Sequence, residues 1–460
     1  MGYPGVGTKG LTPRVSTVAA MEITAPEHEV VQLCQELIRI DTTNYGPDRE
    51  GPGEREAAEY VVQRLREVGL DPETFESAPG RVSVAVRIPG ADRERGALCI
   101  HGHLDVVPAD ANDWSVDPFA GEIRDGCVWG RGAVDMKDMD AMILACVRHL
   151  ARTGTVPPRD LVVVFFADEE AGGDFGSHFM VKEHPEVFEG VTEAISEVGG
   201  YSVTVPTKEG GEKRAYLLQT AEKGIAWLRL HAEGRAGHGS VPTDDNAIVH
   251  LAEAIGRINA HKWPREYIAS VRELLDGLSE ITGVGYSDED LDELLDHLGG
   301  AQGFVRGTLQ DTANVTMLEG GYKHNVIPQT ASAALDARFL PGHEEQLMET
   351  IRELAGDKVR VEVEHRDIAL DSPFGGELVE RMKEALRSED PGAEILPYCL
   401  SGGTDNKALS MLGIVGYGFA PLRLPADLDF APMFHGIDER VPTESLEFGA
   451  KVLLRLIETC

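Results

Sequence analysis

The chain has 460 residues, 42% of them hydrophobic, and sets 43 Lys and Arg against 78 Asp and Glu for a formal charge of -35. That length exceeds one small core, so two domains are expected. The acidity excludes nucleic-acid backbones and anionic membrane surfaces as natural partners and reads first as a solubility feature.

No apolar run approaches the roughly 18 residues of a membrane span. The six cysteines, at 34, 99, 127, 146, 399 and 460, form no CxxC pair, which predicts a reducing, cytoplasmic setting. Residues 1–20 have neither the charged start nor the apolar run of a secretory signal, and Val6 breaks the myristoylation pattern. They read as a disordered extension, with Met21 the expected start.

Val30, Leu33, Cys34, Leu37 and Ile38 form a helical stripe. So do Ala57, Val61, Val62, Leu65 and Val68, with Gly69 as the stop. Strands are expected at 82–88 and 97–101, a hairpin turn at Asp125-Gly126, a helix at 138–152 and a fully buried strand at 161–167. This alternation predicts an α/β fold with a mostly parallel sheet flanked by helices. After about 223 the pattern changes. A strand at 225–233, a helix at 246–259, a strand within 326–339, a helix near 343–354 and a strand near 358–364 read as an inserted α+β lid domain, 224–370. The catalytic domain is then discontinuous, 21–223 and 371–460. Within the insertion, 265–312 carries Leu274, Leu275, Leu278 and Ile281 at helical spacing, then the run SDEDLDELLDHL. It reads as helical material added to the lid.

Five stretches carry chemistry. HGHLDVVPAD brings His103 to the carboxyl end of a strand, where α/β sheets gather ligands, and Asp105 can fix its imidazole tautomer. In WGRGAVDMKDMDA, Asp135 has two oxygens with which to bridge two cations, whereas Asp138 and Asp140 sit at a helix start and read as capping and dipole acids. In VVVFFADEEAGG, Glu169 and Glu170 end an apolar strand, a costly placement unless cations neutralise them. One can bind metal while the other holds an attacking water. Glu197 ends another apolar run in AISEVGGYS, and His435 in DFAPMFHGIDERVP can close a second metal site. Amide hydrolysis near neutral pH needs a source of hydroxide, which metals supply. A serine hydrolase is disfavoured, because no GxSxG elbow follows a strand.

The ordered motifs HGHLDVVP, GRGAVDMKDMDA, ADEEAGG, AGHGSVP, HNVIP, LSGGTD and FHGIDERVP resemble the co-catalytic zinc aminoacylase/peptidase family across roughly residues 27–458. That family includes aminoacylase, acetylornithine deacetylase, succinyl-diaminopimelate desuccinylase and carnosinase-type dipeptidases, and the chain looks most like actinobacterial aminoacylases. The resemblance implies two Zn2+ per chain, with Co2+ or Mn2+ as substitutes. His103, Asp135 and Glu197 would hold one ion, and Asp135, Glu170 and His435 the other. Glu169 would be the general base, Asp105 the partner of His103, and Asp135-Met136 a cis peptide. His238 resembles the histidine that polarises the scissile carbonyl, in dimeric relatives from a neighbouring subunit. Asn325 and Arg338 resemble substrate-holding residues, the guanidinium gripping a carboxylate, with Gly403 and Thr404 adding backbone donors.

The implied activity is hydrolysis of N-acyl-L-amino acids to a carboxylic acid and a free amino acid. The alternatives are a dipeptidase or carboxypeptidase with the same di-zinc centre, and a catalytically silent binding protein of the same fold. The partner is a small-molecule N-acyl amino acid or dipeptide. A homodimer stays open, since the 265–312 insert could block the dimer interface, replace it or roof the acyl pocket.

Overall fold

In the computed structural model, which describes residues 24–46, 49–287 and 289–460, the run Leu161–Phe166 is buried at every position. A strand of that pattern needs cover on both faces, and it lies inside a ten-stranded sheet. The order across the sheet is Glu73–Ala78, Arg81–Ile88, Leu161–Phe166, Ala97–His103, Val191–Ser196, Val415–Gly418, Glu212–Glu222 and Leu370–Asp371. Tyr201–Pro206 and Glu394–Leu400 also pair with Glu212–Glu222. From Leu161–Phe166 to Val415–Gly418, neighbouring strands are parallel. Their carboxyl ends therefore meet at one edge, which is where α/β sheets place ligands.

Successive residues of these strands enter different cores. Leu98, Ile100, Val163 and Phe165 face one core, which they share with Leu33, Leu37, Met142 and Leu453 of covering helices. Cys99, Val162, Val164 and Phe166 face another, with Met180, Val181 and Leu409. The helix Lys137–Thr153 ends at Gly154, whose φ of 69° supplies a left-handed cap. Asp125 and Gly126 take φ of 50° and 74°, as a two-residue hairpin turn requires. The expected extension, 1–20, lies outside the described residues. All six cysteines are free, and among the described residues no helix is long and apolar enough to cross a membrane.

A second sheet is antiparallel, in the order Thr312–Gly320, Thr330–Phe339, Gly224–Glu233 and Val359–Asp367. Helices Ala247–Ala260 and Glu344–Ala355 cover one face through Leu228, Leu230, Leu251, Leu335, Leu347 and Ile351. Asn246 caps the first helix by accepting from the Ile248 amide at 3.0 Å.

The segment 265–312 departs from the expectation that it is added to this second unit. Its helices Ala269–Thr282 and Leu291–Asp296 bury Val271, Leu274, Leu278, Leu294 and Leu295 in the core of the large sheet. Gly277 lies so close to the strand Glu394–Leu400 that a Cβ there would come 2.3 Å from Leu396 Cδ2. Helical period showed that a face is buried, and tertiary contact decides against what. The chain thus passes between the sheets four times, near 223, 261–269, 308–312 and 368–370. Lys223 Nζ donates to the carbonyls of Gly307 and Gln310 at 2.9 and 2.7 Å. Lys407 Nζ donates to the Lys223 carbonyl at 2.9 Å and lies 3.6 Å from Asp367. Two buried lysines therefore tie three of the crossings together.

Candidate metal centre

His103 is the last residue of Ala97–His103, Glu169 and Glu170 follow Leu161–Phe166, and Glu197 follows Val191–Ser196. Parallel pairing puts all four at one edge. Asp135 enters from the loop before Lys137–Thr153, and its peptide to Met136 is cis. His435 comes from the long loop after Val415–Gly418, its side chain 59% exposed. Asp168, Val198 and His435 take φ of 65°, 53° and 56°. Such backbone angles in non-glycine residues gather where surrounding structure aims functional side chains.

Asp135 faces both imidazoles. Its Oδ1 lies 3.2 Å from His103 Nε2 and its Oδ2 3.2 Å from His435 Nε2. Glu197 Oε2 is 3.6 Å from His103 Nε2, and Glu170 Oε2 is 3.0 Å from His435 Nε2. Two donor groups result, His103/Asp135/Glu197 and Asp135/Glu170/His435, and within each the donor atoms lie within 4.8 Å of one another. Glu169 belongs to neither, though its Oε2 comes 3.8 Å from His103 Nε2.

The electrostatics fit cations here. Burial, then the Glu197 charge, raises Glu169 well above the usual carboxylate range. Burial lifts Glu197 to about 8, and burial with the Asp135 charge lifts Glu170. Asp135 is held low, against its burial, by hydrogen bonds from His103 and His435. Hydrogen bonds to Asp135 and Glu170 raise His435 to about 10, and the Glu197 charge raises His103 against its burial. The carboxylates thus favour positive charge at this edge. Divalent ions would supply it, bound by neutral imidazole donors. Glu170 Oε1, buried without a hydrogen-bond partner, is a further donor atom suited to a cation.

Two supporting residues escaped the sequence reading. Asn44 Nδ2 donates to Asp105 Oδ2 at 2.8 Å, while the amides of Glu169 and Glu170 donate to the same carboxylate at 3.1 Å each. Asp105 sits 3.5 Å from His103 Nδ1 through its carboxylate and 3.0 Å through its carbonyl. It holds the Glu169-Glu170 turn as firmly as it orients the ring. Glu439 accepts from Arg131 at 2.8 Å and from the amides of Gly132, Val134 and Asp135 at 3.0, 2.7 and 3.1 Å. It lies in FHGIDERVP, and its complete burial was the missing signal. Asp138 and Asp140 are buried in the first helical turn, outside both donor groups, and neither caps the helix.

A cleft of about 440 Å³ opens over the donors, walled by Trp227, Arg338, His365 and the 401–405 loop. Arg338 Nε and Nη2 hold Asp336 at 2.7 and 3.1 Å. Gly403 lines the cleft. Thr404 lines it too, but its amide and hydroxyl donate to Glu222 at 3.0 and 2.7 Å. Its donors are therefore engaged inside the fold rather than offered to a substrate. His238 and Asn325 do not reach the cleft. They lie at the short pairing of Gly237–His238 with Val326–Ile327, beyond the far end of Gly224–Glu233. Ile225 at the near end lines the cleft, and the eight steps to Glu233 span roughly 25 Å. His238 is exposed and contacts Ser240 Oγ at 2.8 Å.

The sequence pattern of Peptidase family M20/M25/M40 matches residues 99–459. Over 448 residues the chain is 29% identical to aminoacylase-1 of Sus scrofa, covering 94% of this chain and 95% of that protein. An M20 family metallo-carboxypeptidase from Sulfolobus solfataricus superposes with a TM-score of 0.69 at 17% identity, over 94% of this chain and 98% of the other. A dinuclear metal-binding M20 peptidase from Bacillus subtilis gives a TM-score of 0.57 at 14% identity, over 95% and 99%. At those identities the two structures speak for the fold, and the match across most of the sequence speaks for descent. The chain belongs to peptidase family M20/M25/M40.

Proposed function

We propose that this metal-dependent amidohydrolase cleaves N-acyl-L-amino acids, releasing a carboxylic acid and a free amino acid. The observation that carries the reading is Asp135 shared between two donor groups on the floor of a cleft whose wall bears Arg338. His103, Asp135 and Glu197 would hold one Zn2+, and Asp135, Glu170 and His435 a second, with Co2+ or Mn2+ able to replace them at a histidine/carboxylate set. When bound, the ions supply an ionised water near neutral pH and polarise the acyl carbonyl.

Glu169, outside both donor groups, takes the proton of the attacking water and returns it to the leaving amine. Asp105 fixes the turn from which Glu169 projects. Arg338 binds the carboxylate of the amino acid, its guanidinium plane set by Asp336, and Gly403 adds a backbone donor.

His238 polarises the scissile carbonyl and Asn325 steadies the substrate, both delivered by a second copy of the chain. The strand Thr312–Gly320 supports such pairing. It is an edge of its sheet and exposes Val315, Met317 and Leu318 by 37, 53 and 68%. Bare apolar edges of this kind invite another chain. The catalytic unit comprises 21–223 and 371–460, and 224–370 is the lid, whose 265–312 helices rest on the catalytic unit. Free cysteines throughout favour the cytoplasm.

The dipeptidase reading needs an anion for a substrate ammonium. Asp367 lines the cleft but lies 3.6 Å from Lys407. Asp405 is buried. Neither presents an open negative charge, which favours the acyl substrate. The test compares N-acetyl-methionine, an N-lauroyl amino acid and a plain dipeptide on metal-loaded enzyme. Acyl substrates should lead the dipeptide by roughly tenfold or more in kcat/KM. A dipeptide preference would overturn the assignment.

A further inference from the structure

We propose that Trp227 and His365 form the platform for the side chain of the substrate's amino-acid half, selecting aromatic and large apolar residues. The inference rests on the amide-hydrolase reading of the cleft.

Along Gly224–Glu233, Ala226, Leu228 and Leu230 point into the lid core, while Ile225 and Trp227 point the other way and line the cleft. Trp227 is 42% exposed. A half-open indole inside a ligand cleft leaves its most valuable contact surface free for a partner. Its ring lies 4.8 Å from that of His365, inclined by 40°, on the strand position directly opposite. The register shifts immediately after Trp227, and such bulges re-aim side chains beside active sites.

The sheet face is ordered in two rows across three strands. Arg338, Ile225 and Asp367 make one row, and Asp336, Trp227 and His365 the next. Strands stand about 4.8 Å apart, so the Arg338 and His365 strands are roughly 10 Å apart, about the breadth of one amino acid with its side chain. The platform also approaches the donor groups. A Cβ on Gly172, in the loop carrying Glu169 and Glu170, would lie 3.9 Å from His365 Cε1. With the carboxylate at Arg338 and the scissile amide over the donor groups, the Cα substituent falls on Ile225, Trp227 and His365. Asp336 and Asp367, the flanking acids, face Arg338 and Lys407, so the surface offers packing rather than charge.

The test measures kcat/KM for N-acetyl-phenylalanine, N-acetyl-alanine and N-hexanoyl-phenylalanine, and for glycyl-phenylalanine and glycyl-alanine. The chains compared are wild type, Trp227→Ala, Trp227→Phe and His365→Ala. Trp227→Ala should lower the phenylalanine substrate roughly tenfold and the alanine substrate less than about threefold, with Trp227→Phe recovering most of the loss. His365→Ala should move the same ratio in the same direction. Metal content should stay unchanged in all three variants. An equal loss for both side chains, or a loss that follows acyl length instead, would overturn the platform. The C-terminal residue occupies the same place in a dipeptide, so the phenylalanine/alanine ratio still judges the platform where acyl substrates are not cleaved. That latter outcome would refute the acylase reading alone.

Discussion

Glu169 and Glu170 are neighbours in sequence with different surroundings. Glu170 faces His435 at 3.0 Å, and Glu169 belongs to neither donor group. Glu169→Gln should therefore keep its metal and lose roughly 10²- to 10⁴-fold in kcat, whereas Glu170→Gln should lose metal. Metal analysis beside steady-state rates separates the two, and a Glu169→Gln enzyme with wild-type turnover removes the base assignment. Glu439 holds the amides leading into Asp135. Glu439→Ala should weaken metal binding roughly 10- to 100-fold, read by metal titration, and unchanged affinity would make Glu439 a fold residue only. At this scale the convergence of His103, Asp135, Glu170, Glu197 and His435 was legible, because acids at the end of apolar strands stand out. Asn44 was not, since it meets Asp105 across 61 positions with no local pattern to mark it. The engagement of Thr404 by Glu222 was hidden for the same reason.

Strands and helices were legible where periodicity is strong. The buried strand expected at 161–167 is Leu161–Phe166, and the helix expected at 138–152 is Lys137–Thr153. The placement of 265–312 was not legible, because an amphipathic stripe does not name the surface that covers it. The segment's return crossing near 308–312 is held by Lys223, whose neighbour Glu222 accepts from Thr404 of the cleft wall. Glu222 is fully buried, and burial raises its carboxyl from 4.5 to about 7 although Lys407 and Thr404 oppose the rise. Between those pH values the folded chain keeps a proton that the unfolded chain has released. The associated stability is complete below about pH 4.5 and is lost as pH rises through about 7. Relative to Glu222→Gln, which lacks this titration, wild type should lose up to about 3 kcal/mol across that window in denaturant unfolding. A pH-independent difference would show Glu222 ionised throughout.

The molecule as a whole joins a large, centrally parallel sheet to a smaller antiparallel one, with the donor groups at the edge between them. Alternating strand and helix signals made that α/β class readable. The remoteness of His238 from its own cleft was not, because sequence order says nothing of how far a strand carries a residue away. If a second copy supplies His238, a His238→Ala chain and a Glu169→Gln chain, each nearly inactive, should recover roughly a quarter of wild-type activity when mixed one to one and allowed to exchange, since half the symmetric pairs then hold one complete site. Leu318→Lys, on the exposed edge strand, should weaken association in sedimentation and lower activity together. No recovery on mixing in chains shown to exchange would place the polarising group within one chain.

The proposed chemistry depends on two cations meeting at one carboxylate. The direct measurement is titration of chelator-stripped protein with Zn2+, following ions bound per chain and amide hydrolysis together, in wild type and Asp135→Asn. Two ions should bind per wild-type chain, with turnover appearing as they do, and Asp135→Asn should weaken both binding events and abolish turnover. Hydrolysis by the metal-free chain, or two ions bound with wild-type affinity by Asp135→Asn, would contradict the shared centre.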